Sequence, residues 1–122
     1  MSEFEMRPSI FDNVQPPEPI CIEVFADANH QGQSQKLPAY SGGGRDLVYS
    51  AADLQGAGGV GIQTISSLRF SAVKAVGYPR TVVLYAEDGC CGASKTFYEG
   101  TDWVGDDFND RTCSIRITHW IL

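Results

Sequence analysis

In the stretch QGAGGVGIQTISSLRF, residues 55–70, Gly56, Gly58 and Gly61 stand in the GxGxxG spacing of a dinucleotide-binding turn. That chemistry needs a preceding strand, a helix whose N-terminus receives the pyrophosphate, and an acid about 20 residues further on for the ribose. Gly61 is instead followed by the alternating IQTISSLRF, and the region near position 81, YPRTVVLYA, has no acid before Glu87. These glycines read as the approach to a strand, so no cofactor-binding residue is assigned. Cys90 or Cys91 with His30 or His119 would make a nucleophile–base pair. Two histidines and four cysteines produce such pairings by chance, so no catalytic residue is assigned either. A zinc site from the same residues lacks CxxC or HxxxH spacing. The acids of DDFND, 106–110, lack the spacing and terminal Glu of an EF-hand and read as a solvated loop.

The elements that would position any site must fit into 122 residues, enough for one domain with one core and too few for separate cofactor and substrate domains. A formal net charge of -6 removes the sequence-independent attraction to phosphate backbones, which argues against nucleic acid as a partner. No apolar run reaches the roughly 20 residues of a membrane span, and no basic-then-apolar leader opens the chain. The compartment stays open, because a mature secreted chain or one with a vector-derived Met1-Ser2-Glu3-Phe4 start would look the same. Four cysteines fall short of a disulfide-built miniprotein. Adjacent Cys90 and Cys91 do not easily bond each other, so Cys21 or Cys113 would be their partners in an oxidising compartment. Free, half-buried thiols are the alternative.

Residues 1–19 are rich in proline and lack sustained periodicity, so they read as an extended arm, with the fold starting near Ile20. From there ICIEVF, SSLRFSAV, TVVLYA, SKTFY and CSIRITHWIL alternate with Gly, Asn and Asp clusters, an all-β pattern. DLVYSAADLQ and GTDWVGDDF could each hold a helical turn, and both are placed as crossing connections. The chain also repeats. VFADANHQGQS (24–34) and LYAEDGCCGAS (84–94) align without gaps, Phe25, Asp27, Gly32 and Ser34 against Tyr85, Glu87, Gly92 and Ser94. IQTISSLRF (62–70) and NDRTCSIRI (109–117) align Ser67 on Ser114 and Arg69 on Arg116. The order is A-B-A'-B', two copies of a four-strand unit: A about 20–50, B about 51–78, A' about 80–100 and B' about 101–122. Each A element predicts a hairpin folded back over its sheet, with Gly at the crowded or positive-φ position and the following Ser free to satisfy turn amides. Two such units pack as a two-sheet Greek-key sandwich.

These residues resemble the βγ-crystallin family, whose hairpin has the form [FYW]xxxx[FYW]xG followed later by a Ser. The resemblance covers about residues 20–117. It departs at the second aromatic, which is His30 in one copy and Cys90 in the other. Calcium-binding members carry a loop [ND][ND]xx[ST]S in each half, forming two interlocked sites. The resemblance implies one competent site here, from the Asp27 carbonyl, the Thr64 carbonyl, the Ser66 hydroxyl and the Asp110 carboxylate, hard oxygens suited to calcium. The other site would have the Glu87 and Arg111 carbonyls with a Gln63 amide and a soft Cys113 sulfur, and is expected to be weak or empty. One carboxylate among neutral ligands implies affinity of roughly 10⁻⁵ to 10⁻³ M.

Trp103 is expected to be buried in the segment that crosses before the second loop. Trp120, in the apolar tail THWIL, would extend the last strand or cover a hydrophobic edge. That tail and the arm are the surfaces offered to a second copy or to a protein target. The expected function is a non-enzymatic calcium-binding protein with a structural or stress-related role. The alternative is a secreted protease inhibitor or killer-toxin-like protein on a similar fold, presenting GCCGAS or AYSGGGRD.

Overall fold

The structure, a computed structural model of the chain, describes residues 20–70 and 73–122. The arm and the two residues after Phe70 lie outside that description. Among the described residues, seven strands form two antiparallel sheets. The first half contributes β1 (Cys21–Asp27), β2 (Gln31–Pro38), β3 (Leu47–Tyr49) and β4 (Ser67–Phe70). The second half contributes β5 (Pro79–Glu87), β6 (Cys91–Phe97) and β7 (Ser114–His119). The sheet orders are β2-β1-β4 and β3-β7-β5-β6.

Alternation builds the core. Ile22 and Val24 of β1, Val82 and Leu84 of β5, and Ile115 and Ile117 of β7 are fully buried, every second residue facing inward. Each such side chain contributes roughly 1.5–3 kcal/mol on burial. Leu37, Ala39, Leu54, Val60, Ile65, Leu68, Val104 and Phe108 complete one cluster shared by both sheets.

The expected repeat is present in the backbone. β1 meets β2 through Phe25↔Ser34 and then Asp27↔Gln31, a register shift matched by Tyr85↔Ser94 and Glu87↔Cys91 in the β5–β6 hairpin. Gly32 and Gly92 have the same φ of 78°. A Cβ at Gly32 would fall on the Asp27 carboxylate, and one at Gly92 would meet the Glu87 side chain at 2.9 Å. Glycine is required at both positions by conformation and by space.

One strand of the expected eight is reduced to a bridge. β3 crosses from the first half to pair with β7, whereas its counterpart in the second half is the single Leu68↔Thr101 pairing beside β4. Each sheet therefore takes its outer partner from the other half. The first connection also holds a helical turn, α1 (Ala51–Gln55), started by a capping box between Ser50 and Asp53.

Two further readings are corrected. Trp103 is 41% exposed, because the neighbouring Val104 and Phe108 fill the core in its place. The serines that satisfy the hairpin amides are Ser67 and Ser114, not Ser34 and Ser94. The cause is pairing: β4 and β7 lie against the hairpins, while Ser34 turns its hydroxyl to Glu23 at 3.2 Å.

Candidate metal centre

Backbone strain concentrates where the two repeated elements meet. Among the described residues, the non-glycine positions with positive φ are Asn29, His30, Gln63, Cys90 and Asp110. His30 pairs with Cys90, and Gln63 with Asp110, as equivalent positions of the two halves. Asn, Asp and His visit this region more readily than other side chains, whereas Gln and Cys rarely adopt it unless the surroundings hold them there. What holds the hairpins is a serine hydroxyl. Ser67 Oγ accepts from the His30 amide at 3.0 Å and donates to the Asp27 carbonyl at 2.6 Å. Ser114 Oγ repeats this with the Cys90 amide at 3.0 Å and the Glu87 carbonyl at 2.7 Å.

The two loops tie to each other by a matching pair of backbone bonds. The Gln63 amide donates to the Thr112 carbonyl at 2.8 Å, and the Asp110 amide to the Ile65 carbonyl at 3.3 Å. Each loop also reaches its own hairpin, Ser66 N to the Phe25 carbonyl at 2.9 Å and Cys113 N to the Tyr85 carbonyl at 2.8 Å.

Ser66, 5% exposed, is where oxygens converge. Its Oγ lies 2.6 Å from Asn109 Oδ1, 2.8 Å from the Ala26 carbonyl and 3.5 Å from the Thr64 carbonyl. A hydroxyl has one proton, so it can donate to one of these acceptors at a time. The surplus of lone pairs is resolved by a cation, or by turning the Asn109 amide so that its nitrogen donates. Thr64 directs its own hydroxyl back to the Val60 and Gly61 carbonyls, at 3.0 and 3.2 Å. Oxygens bound to one calcium stand roughly 3 Å or more apart, so the group fits a hard cation after a small outward shift of Asn109 and Ala26. No group of three or more His, Cys, Asp or Glu is present among the described residues, and a cation here would rest mainly on neutral oxygens.

Of the expected ligands, Thr64 and Ser66 are brought together. The Asp27 carbonyl is engaged by Ser67, and the carbonyl facing Ser66 is that of Ala26, one residue earlier. The Asp110 side chain is exposed on the same loop, and Asn109 supplies the oxygen that meets Ser66. Ala26 and Asn109 were absent from the expected set. Asn109 is the first [ND] of the NDRTCS loop, so its residue type was visible in the sequence and its direction was not.

The second position is differently furnished. By repeat equivalence Cys113 stands where Ser66 does, and Ile62, packed against the core, stands where Asn109 does. Glu87 and Gln63 are exposed. Arg111 is also exposed and donates to the Asp107 carbonyl at 2.9 Å. A thiol beside an aliphatic position does not fit calcium. Next to this loop, the hydrogen bond from Lys95 at 2.9 Å holds the Asp107 carboxyl below its ordinary range.

His30 packs edge-on to Phe25, with centroids 5.2 Å apart, and takes the aromatic's place over its hairpin. Cys90, Cys91 and Cys113 are in no disulfide. The Gly56–Gly61 run follows α1 and leads into a loop, with the Gly61 amide bonded to the Leu54 carbonyl at 2.7 Å. Cys91 of GCCGAS and Tyr40 of AYSGGGRD are both exposed. No helix among the described residues is long and apolar enough to cross a membrane.

No family model and no curated protein matches the chain. Solved structures do. A βγ-crystallin domain from Flavobacterium johnsoniae is 28% identical with a TM-score of 0.63, covering 80% of this chain and 93% of that one. A βγ-crystallin domain from Clostridium beijerinckii is 23% identical with a TM-score of 0.63, covering 80% and 97%. The N-terminal domain of Protein S is 25% identical with a TM-score of 0.65, covering 84% and 99%. With matched hairpins, reciprocal loops and exchanged outer strands, the chain has the βγ-crystallin fold.

Proposed function

We propose that this chain is a non-enzymatic βγ-crystallin-type domain that binds one calcium ion weakly, and that the ion ties the two halves together in a structural role. The observation that carries this reading is the convergence of Asn109 Oδ1 and the Ala26 and Thr64 carbonyls on the buried Ser66 hydroxyl. These oxygens come from a hairpin and both loops, so an ion among them would link the first half to the second. Asp110, next to Asn109, is the carboxylate within the same loop and would supply charge to the site.

Calcium titration by calorimetry, together with thermal shift, tests the reading on the wild type and on Ser66→Ala, Asn109→Ala and Asp110→Ala. One equivalent is expected, with affinity of roughly 10⁻⁵ to 10⁻³ M. Ser66→Ala should abolish binding. Asn109→Ala and Asp110→Ala separate a ligand that already faces the cluster from one that must move into it. Unchanged binding in all three variants would refute the site, and a stoichiometry of two would refute the claim that Cys113 and Ile62 disable the second position.

A further inference from the structure

We infer that the groove between β4, β5 and the C-terminal tail binds a small phosphorylated polyhydroxy compound, a sugar phosphate in chemical class, independently of calcium. The groove has a volume of about 700 Å³. That lies within the range of small-molecule sites, about 300–1,000 Å³. On a chain with 15 acids and 9 bases, three of the bases, Arg69, Lys74 and Arg80, line this one groove. The local charge therefore runs against that of the whole molecule.

Two of these cations are organised by one ring. Lys74 Nζ lies 5.6 Å and Arg80 Cζ 5.1 Å from the centroid of Trp120, while Arg69 Cζ lies 5.3 Å from that of Phe25. Cation–π contacts orient the charges without neutralising them. Lys95 and Arg116 each face a carboxylate, at 2.9 and 3.9 Å. Arg69, Lys74 and Arg80 have no such partner among the described residues, and all three are exposed. Their N–H donors are available to an oxyanion, which an arginine fork and a lysine point charge recognise well.

Glu99 and Asp102 also line the groove. Carboxylates are acceptors only, so they select a ligand with hydroxyl donors and oppose a second anionic group. A long polyanion would meet them unfavourably, in keeping with the overall charge of -6. Phosphate toward the cations, hydroxyls toward the acids and a ring between them make up the ligand that both sets of side chains accept.

A ¹⁵N–¹H titration of the full chain with glucose 6-phosphate, inorganic phosphate and glucose tests this. Glucose 6-phosphate should give saturable shifts of the Trp120 indole and the Thr101 and Asp102 amides, with inorganic phosphate weaker at the same resonances and glucose without effect. Lys74→Gln with Arg80→Gln, both at exposed positions, should retain the dispersed spectrum and weaken binding about ten-fold or more. The inference is overturned by no saturable shift at ligand concentrations of about 10 mM, or by equal affinity in the double variant. It is equally overturned by inorganic phosphate or glucose binding as well as the sugar phosphate.

Discussion

Ser67 is fully buried and carries two bonds at once, one to the His30 amide and one to the Asp27 carbonyl. Ser67→Ala would strand a donor and an acceptor at a strained turn, so a loss of about 1–3 kcal/mol is expected in urea unfolding. Ser114→Ala should cost a similar amount, since it holds Cys90 and Glu87 in the same way. Parity between the two would show that the clamp, not the identity of the residue above it, sets the cost. These serines were legible because the repeat aligned them. Their role was only half legible, because a hydroxyl's partner depends on which strand lies alongside. The same limit explains Asn109 and Asp110. Adjacent polar residues in a loop point in different directions, and the positive φ at Asp110 that decides between them is a consequence of the reciprocal loop bonds.

At the scale of elements, the hairpins were the most readable parts, since strand alternation and an invariantly placed glycine leave few alternatives. α1 was harder to see. Five residues cannot show a helical stripe, although Ser50-Ala51-Ala52-Asp53 does present the Ser-x-x-acid spacing of a capping box. In the structure the Ser50 amide donates to Asp53 at 2.8 Å, and Asp88 of the opposite half accepts from the Ala51 amide at 2.8 Å. Ser50→Ala is expected to cost about 1 kcal/mol, read as a lower midpoint in thermal unfolding. The tail also acquires a defined place. Trp120 continues the pairing beyond β7 through backbone bonds with Gly77 and Tyr78, at 2.9 and 3.0 Å, which fits the expected strand extension.

Across the whole molecule the two halves are alike in backbone and unlike in side chains at the loops. If composition alone disables the second position, then Ile62→Asn with Cys113→Ser should raise calcium stoichiometry from one to two by calorimetry, while Cys113→Ser alone should leave it at one. This was partly legible: the thiol stood out in the aligned loops, whereas Ile62 gained meaning only once Asn109 was seen against Ser66. The exchange of outer strands was not legible. β3 has three residues and its counterpart only a backbone bridge at Thr101, too little for a side-chain pattern. That exchange imposes an order of events during synthesis. Leu47–Tyr49 is synthesised long before Ser114–His119, its one sheet neighbour among the described residues, exists. Until β7 is made, β3 carries an open strand edge that a neighbouring nascent chain could pair with, so the appearance of Ser114–His119, rather than completion of the first half, is the point at which that edge is covered.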